Sequence, residues 1–341
     1  MRKKTTTPRT RRLAATAVAL GSFLALASPA GTAGAAPADP VPTVFYGDSY
    51  TANFGIAPVN NQDNERGWCF QATENYPAVA TRRLADNGIT LDVQSDVSCG
   101  GALVEHFWKE QEMLGGGTVP AQQDALKEDT QLVVGGMGGN TLGFTSILKQ
   151  CSAKLRGNEG ALLPGEPVDP DKPAGECREF FASEDGKAWL DYQFQRVEGD
   201  LEEMFQRMSY FAPDAERVLV GYPRLVPKDT TKCLTAAPGQ TELPFADIPK
   251  NALPLLDQVQ QRLDEVMKKT AADDGADFVD LYDHTGNNTA CDGANRGIGG
   301  LLEDSQLEFG QPIPWYAHPN DKGRDIQAEH VATKIEQILN R

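Results

Sequence analysis

Five short apolar runs, separated by helical patterns, place the strongest limit on what this chain can fold into. Each run is rich in β-branched or apolar residues and ends in small or turn-forming residues. The runs cover 42–49, 89–94, 130–140, 217–223 and 276–282. Helical periodicity covers 76–88, 189–213, 251–275 and 318–341. Strands that alternate with helices form βαβ units, so the sequence predicts an α/β domain with a mostly parallel sheet and helices on both faces.

Three further segments, 151–186, 223–251 and 283–314, are rich in Gly, Pro, Asn and Thr and fall outside this alternation. Their composition predicts loops. Each segment contains cysteine. Long loops held by disulfides at the end of a sheet often form the walls of a binding site, so we expect these loops to surround one.

The first 38 residues have the order that is typical of a secretory signal peptide. Six cationic side chains are followed by an apolar stretch and then by small residues. Cleavage is expected after Ala35 or Ala38, with a retained anchor as the alternative. The Arg11 and Arg12 pair leaves the choice between the general and the twin-arginine export routes open. We therefore expect a secreted, extracellular protein with one domain, 39–341.

The charge balance argues against a nucleic-acid partner. The whole chain has 32 Lys and Arg against 48 Asp and Glu, and removal of the leader leaves 26 against 48, a net charge near −22. Such a surface repels phosphate backbones and anionic lipid surfaces. No apolar run after the leader reaches membrane-spanning length, so we expect no stable membrane insertion. We also expect a monomer whose partner is an ester substrate.

Six cysteines follow the leader: Cys69, Cys99, Cys151, Cys177, Cys233 and Cys291. An even number in an oxidising compartment predicts three disulfides. Fifteen connectivities are open. Short loop closures favour the sequential one, Cys69–Cys99, Cys151–Cys177 and Cys233–Cys291. No C-x-x-C pair or clustered Cys/His spacing indicates a metal site, and we expect no metal or cofactor.

Three residues follow predicted strands at what would be one edge of the sheet. Ser49 closes the first strand, Gly101 follows the second, and Asn140 ends the third. Because the carboxyl ends of parallel strands meet at one edge, we expect these residues to lie close together. A serine there is a candidate nucleophile, and the asparagine amide is a candidate oxyanion donor. The structural alternatives are a helix cap that includes Ser49, and turn chemistry for Asn140.

Among the four histidines, His318 is the best candidate for a general base, because it follows a proline- and aromatic-containing loop at the start of the last helical pattern. His284, at the end of the fifth strand, is its competitor. His330 falls within the closing helix, where an exposed position is expected. His106 has aromatic neighbours, which indicate a structural role or a site wall.

Four segments in chain order resemble the four sequence blocks of the SGNH, or GDSL-type, hydrolases. They are "GDSY" at 47–50, "CGGA" at 99–102, "GGNT" at 138–141 and "HPN" at 318–320. "NYP" at 75–77 and the placement of the cysteines are similar to the secreted actinobacterial branch of that family. The resemblance extends over nearly the whole chain after the leader.

This resemblance implies a three-layer α/β/α fold with a five-stranded parallel sheet and a serine ester hydrolase activity. It also implies roles for particular residues. Ser49 would be the nucleophile and His318 the general base. The amides of Ser49 and Gly101 and the side chain of Asn140 would be the oxyanion donors.

One position departs from the family pattern. The family's D-x-x-H reads W-Y-A-H here, so Trp315 stands where an aspartate is expected to orient His318. An indole only donates hydrogen bonds, whereas the main-chain carbonyl of Trp315 can accept one from the imidazole. The sequence therefore predicts a Ser/His dyad that is oriented by this carbonyl. Three carboxylates remain alternatives: Asp283, Asp304 and Asp321.

The function that we expect is a secreted carboxylic ester hydrolase that forms an acyl-enzyme. A plant-surface polyester such as suberin or cutin, or esters with short to medium acyl chains, are the substrates considered. A lipase or phospholipase of the same family, and a polymer-binding protein without turnover, are the alternatives. Five aromatic residues are candidates either for an apolar acyl site or for the core: Trp68, Phe70, Phe107, Trp108 and Trp315.

Overall fold

A central parallel sheet brings the predicted site residues to one edge. The computed structural model describes residues 39–60, 65–157, 177–308 and 310–341, so the predicted leader lies outside the described residues. The strands are β1 Val41–Gly47, β2 Leu91–Asp96, β3 Gln111–Glu112, β4 Thr118–Val119, β5 Leu132–Gly136, β6 Glu216–Val220, β7 Asp277–Val279, β8 Asp304–Glu308 and β9 Pro312–Pro314. Five of them form one sheet in the order β2-β1-β5-β6-β7, and all four pairings are parallel. This confirms the predicted fold class.

The helices follow the predicted alternation. They are α1 Ser49–Ala52, α2 Tyr76–Asp86, α3 Gly139–Leu142, α4 Phe144–Cys151, α5 Ala153–Arg156, α6 Cys177–Ala182, α7 Glu184–Phe211, α8 Leu253–Asp274, α9 Leu281–His284 and α10 Asp321–Leu339. Three of the long helices begin at a polar cap. The side chains of Asn75, Ser183 and Asn320 each accept a hydrogen bond from the backbone amide three residues later. Such caps satisfy amides that have no partner within the helix.

The core lies on both faces of the sheet, because successive side chains of a strand point to opposite sides. In β1, Val44 and Tyr46 join one apolar cluster, which includes the buried faces of α7 and α8. Phe45, between them, joins the other cluster, which includes α2 and α10. The two clusters bury β1 from Thr43 to Gly47 and fix the direction in which its carboxyl end points.

The order of the strands creates the place for a site. Strand β1 pairs with β2 on one side and with β5 on the other. Crossovers that leave in opposite directions open a crevice at the carboxyl ends of the two inner strands. Ser49 follows β1 and Asn140 follows β5, so both residues lie at this crevice.

The structure differs from the sequence prediction in two loops. The segment 283–314 was expected to be a loop, but it contains the antiparallel pair β8 and β9. The segment 151–186 contains the short helices α5 and α6 and the start of α7, while residues 158–176 lie outside the described residues. β9 begins and ends in proline and β8 has one buried residue, so neither strand gives an apolar alternation that a sequence pattern can detect.

Three disulfides join the cysteines in sequential order. They are Cys69–Cys99, Cys151–Cys177 and Cys233–Cys291. The first connects the segment after α1 to the turn after β2, next to Gly101. Among the helices that the structure describes, none is both long and apolar enough to cross a membrane.

Candidate active site

Ser49 and His318 lie in direct contact, although 269 residues separate them. His318 Nε2 is 2.8 Å from Ser49 Oγ. Ser49 is the first residue of α1, where the chain turns sharply out of β1, and Asp48 caps this short helix by accepting from the amide of Tyr50. His318 lies just before α10, which Asn320 caps. Each member of the pair is thus held at the start of a helix with a side-chain cap.

Main-chain carbonyls hold the other nitrogen of the imidazole. His318 Nδ1 is 2.9 Å from the carbonyl oxygen of Trp315 and 3.1 Å from that of Tyr316. A carbonyl only accepts hydrogen bonds, so Nδ1 carries the proton in the neutral ring. Nε2 is then the unprotonated nitrogen, and it accepts a hydrogen bond from the hydroxyl of Ser49.

The loop before His318 has an unusual backbone that turns these carbonyls inward. Tyr316 and Ala317 have φ values of 49° and 62°, a left-handed conformation that is uncommon for residues other than glycine. The hydroxyl of Tyr50 donates to the carbonyl oxygen of Ala317 at 2.9 Å. This bond ties the loop to α1, so the helix that carries Ser49 also supports the turn that orients His318.

The indole of Trp315 anchors the same loop. Trp315 is buried, and it packs with Ile56 and Ala72. Its ring lies against the bare backbone of Gly55 and Gly299, where an added Cβ would come within 2.4 Å of the indole. The side chain therefore fixes the path of the loop, while the main-chain oxygen contacts the imidazole.

Burial determines the protonation of His318. Aromatic rings flank the imidazole, with the ring centroids of Tyr50 and Phe54 at 4.7 and 4.9 Å. Burial lowers the pKa of His318 from 6.5 to about 4, against the opposing effect of the two carbonyls. Because a buried cation is costly, the ring is neutral at neutral pH and can accept a proton.

Asn140 lines the same pocket as Ser49 and His318, and Gly101 lies in a turn to which Asn140 is bonded. The amide of Asn140 donates one hydrogen bond to the carbonyl oxygen of Ala102 at 3.1 Å, which leaves its second hydrogen for another acceptor. Gly101 is exposed, with a φ of 76°, in the turn that Ala102 follows. The amide of Cys99 in this turn donates to the carbonyl oxygen of Gly47. The structure therefore brings together the turns after β1, β2 and β5.

A buried carboxyl, which the sequence analysis did not select, connects two of these turns. Asp48 accepts hydrogen bonds from the amide of Tyr50 and from the hydroxyl of Tyr222. The same hydroxyl accepts from the amide of Gly139, at 2.8 Å, next to Asn140. Burial raises the pKa of Asp48 to about 7. Tyr222 lies just past the end of β6, at the same edge of the sheet as Ser49. Its place near the end of a predicted strand was the one indication in the sequence that it could lie near the site.

A pocket opens next to Ser49. Asn140 and His318 line it, together with the apolar side chains of Leu148, Leu225 and Leu263. Of the five aromatic residues suggested for an acyl site, none lines this pocket. Phe107 belongs to the core, Trp108 packs against the core, and the other three residues line separate clefts.

The other histidines and the alternative carboxylates lie elsewhere. The rings of His284 and His330 stack on each other at 4.6 Å, and His106 Nδ1 accepts from the amide of Leu103. Asp321 contacts Gln306 and Arg324. Within the part of the chain that the structure describes, the imidazole of His318 is bonded to Ser49 and to the two carbonyls. No group of three or more His, Cys, Asp or Glu among these residues is arranged for a metal ion.

The sequence of this chain matches the model of the GDSL-like lipase/acylhydrolase family over residues 45–326. The chain belongs to this family. An esterase of Streptomyces scabiei is 75% identical to it over 343 residues, which cover 100% of this chain and 99% of the relative. Lipase 2 of Streptomyces coelicolor is 31% identical over 331 residues, which cover 95% of this chain and 97% of that protein.

A solved structure agrees with the fold. The extracellular lipase of Streptomyces rimosus superposes with a TM-score of 0.58 at 19% identity, covering 86% of this chain and 99% of that one. At this identity the likeness shows the fold alone. Membership in the GDSL family makes the chain a hydrolase of the esterase and lipase class, and the expected SGNH-type fold is confirmed.

Proposed function

We propose that this GDSL-family protein is a secreted carboxylic ester hydrolase that works through an acyl-enzyme on Ser49, with His318 as general base and acid. The observation that carries the proposal is the 2.8 Å contact between Ser49 Oγ and His318 Nε2, together with the carbonyls on Nδ1 that leave Nε2 free to accept a proton. A serine hydroxyl is a weak nucleophile until such a base is in place.

The steps follow from the tautomer. Ser49 Oγ attacks the ester carbonyl as Nε2 takes its proton, and the imidazolium then gives that proton to the departing alcohol oxygen. Water repeats the sequence on the acyl-enzyme, and Ser49 is restored. The carbonyl of Trp315 keeps the ring direction throughout. As a neutral acceptor, it stabilises the imidazolium less than a carboxylate would.

Three donors would stabilise the oxyanion that forms during the attack: the amides of Ser49 and Gly101 and the side chain of Asn140. The Asn140 amide is already oriented by Ala102, so little reorganisation is needed when charge develops. Donors fixed in this way each contribute about 3 kcal/mol to the stabilisation of the transition state.

The apolar wall of the pocket supports a lipase as the second candidate. Leu148, Leu225 and Leu263 would contact the acyl chain of the substrate, and each buried methylene contributes about 0.8 kcal/mol. A series of p-nitrophenyl esters from acetate to palmitate, and a phospholipid, would separate the two candidates. A maximum at short chains supports an esterase, whereas a maximum at long chains or turnover of the phospholipid supports a lipase or phospholipase. Suberin and cutin remain predictions for the natural polymer.

The assignment of the nucleophile has a direct test. Ser49→Ala should lower turnover of p-nitrophenyl butyrate by several orders of magnitude, and a serine-reactive phosphonate should add one adduct that maps to Ser49 by peptide mass. Ser95→Ala, on β2, is the matched control and should keep both activity and labelling. Wild-type turnover by Ser49→Ala would refute the acyl-enzyme on this residue and would revive a binding protein or another mechanism.

Secretion and the domain boundaries are part of the same proposal. The basic and apolar residues 1–38 resemble a leader, and three disulfides suit an oxidising compartment. We expect the single domain 39–341 to accumulate in the medium of an expressing actinobacterium. N-terminal sequencing of the secreted chain would identify the cleavage position, and intracellular retention of the full-length chain would contradict export.

A further inference from the structure

The general acid determines where the alcohol part of the ester must lie. His318 Nε2 delivers the proton to the departing oxygen, so that oxygen and the group attached to it must lie against the imidazole. Asn140 would hold the carbonyl oxygen, and the apolar pocket would receive the acyl chain. The alcohol would then lie against His318 where the ring of Phe54, which does not line the pocket, contacts the imidazole. This step rests on the proposed function.

Four aromatic side chains, here called the aromatic row, extend from this contact: Phe54, Tyr316, Phe70 and Trp68. Tyr316 also lines the apolar pocket, so it lies between the pocket and the rest of the row. The ring of Phe54 is 4.9 Å from that of His318. Tyr316 is 6.2 Å and Phe70 is 5.5 Å from Phe54, and Trp68 is 6.1 Å from Phe70. Every ring is thus within contact range of the next.

The aromatic row remains open to solvent. Tyr316 is 38% exposed, and Phe54, Phe70 and Trp68 are partly exposed, in contrast to the fully buried Phe45 and Phe107 of the core. At its far end, Phe70 and Trp68 form one wall of a cleft that Val59 and Leu307 also line. A continuous apolar surface that starts at a catalytic residue and ends in a cleft indicates a binding site.

The backbone at or next to three of these rings has the left-handed conformation, which is unfavourable for residues other than glycine. Phe70 and Tyr316 both have a φ of 49°, and Asn53, just before Phe54, has a φ of 51°. The buried side chain of Asn53 bonds to the amide of Tyr76 and to Gln327. Strained residues that surround a site and are fixed by their surroundings are typical of ligand contacts.

We infer that the aromatic row is the subsite for the alcohol of the ester, and that it selects an uncharged alcohol with an aryl group. The rings offer edges and faces that prefer aromatic partners to flexible alkyl chains. The strong net negative charge of the chain disfavours an anionic alcohol. The acyl chain would then occupy the pocket that Leu148 and Leu263 line, and the alcohol would contact Phe54, Phe70 and Trp68, with Tyr316 at the boundary between them.

The test varies the alcohol and holds the acyl group constant. Ethyl, decyl and 2-naphthylmethyl butyrate are compared by chromatographic measurement of the released alcohol. The wild-type enzyme should have a kcat/KM for the naphthylmethyl ester about tenfold or more above that for the ethyl ester. A wild-type enzyme without this preference, or with an equal preference for the decyl ester, would overturn the assignment to an aryl alcohol.

Phe70→Ala should reduce the ratio of naphthylmethyl to ethyl kcat/KM by about fivefold to tenfold, and it should weaken competitive inhibition by 2-naphthylmethanol to a similar degree. Phe70→Leu keeps apolar bulk and provides a folded variant should the alanine variant fail to fold. It should also reduce the ratio. Tyr192→Ala, at an exposed tyrosine on α7, is the matched control.

An unchanged ratio in both Phe70 variants would refute the subsite even if the enzyme remains an esterase. Failure of the proposed function gives a different result, because Ser49→Ala would then hydrolyse all three esters at the wild-type rate whatever residue stands at 70.

Discussion

The buried carboxyl of Asp48 makes the folding stability depend on pH in a way that one substitution can isolate. Asp48 is almost fully buried, and two hydrogen-bond donors, the amide of Tyr50 and the hydroxyl of Tyr222, contact it. Burial outweighs these donors and raises the pKa from 3.8 to about 7. The folded protein therefore binds a proton that the unfolded chain releases near its ordinary pKa.

The direction of the pH dependence follows from this difference in proton binding. Between the two pKa values the folded state holds more protons than the unfolded state, so the free energy of unfolding falls as the pH rises. A pKa shift from 3.8 to about 7 contributes about 4 kcal/mol to the free energy of unfolding at low pH. This contribution is lost once the pH exceeds the pKa of the folded state. Asp48→Asn keeps the acceptor for Tyr50 and has no proton to lose, so this part of the pH dependence should disappear.

The assay is urea unfolding followed by tryptophan fluorescence, with the disulfides intact, at several values from about pH 4 to about pH 8. As the pH rises across this range, the free energy of unfolding of the wild type should fall by about 4 kcal/mol relative to that of Asp48→Asn. Other groups, such as Asp264, whose pKa is also raised to about 7, cancel in the difference. Asp86→Asn, at an exposed aspartate, is the control. Parallel curves for wild type and Asp48→Asn, or a wild type that gains relative stability with pH, would refute the reasoning.

Three further predictions concern the site itself. Burial lowers the pKa of His318 to about 4, so kcat/KM should fall at acid pH only as the pH approaches that value. A pH–rate profile that already falls near the ordinary histidine pKa would contradict a buried base. Trp315→Phe keeps the main-chain oxygen, so much of the activity on p-nitrophenyl butyrate should remain while urea unfolding shows a loss of about 1 to 3 kcal/mol. A collapse of activity in a folded variant would assign a role to the indole itself. Asn140→Ala should lower kcat by about a hundredfold to a thousandfold with little change in KM, whereas a change confined to KM would argue against an oxyanion donor.

The fold was accessible from sequence because its signals are local and repeated. Each sheet strand is a short apolar run followed by small residues, and the four long helices have clear periodicity, so their order implied a parallel sheet. Ser49 and Asn140 could be assigned to one edge because both follow strands of that sheet. The pair β8 and β9 escaped detection because β8 has one buried residue among five and β9 begins and ends in proline, so neither is an apolar run.

The contacts within the site depend on distant parts of the chain, and these were harder to predict. The left-handed turn at Tyr316 and Ala317 has no glycine or asparagine to announce it, yet this turn aims two carbonyls at His318. The role of Tyr222 depends on a bond to Asp48, 174 residues away. Nothing local distinguishes this tyrosine from one that merely ends a strand.

The two glycines beneath Trp315 change which mutations this site would tolerate. The atom that orients His318 is a main-chain oxygen, so every substitution at position 315 retains it. Activity is lost only if the substitution moves the loop. At Gly55 and Gly299 the reverse holds, because even the smallest side chain would enter the space of the indole. Sensitivity to substitution should therefore be greater at these two glycines, which take no part in the chemistry, than at the tryptophan, and a saturation library should find fewer active substitutions there.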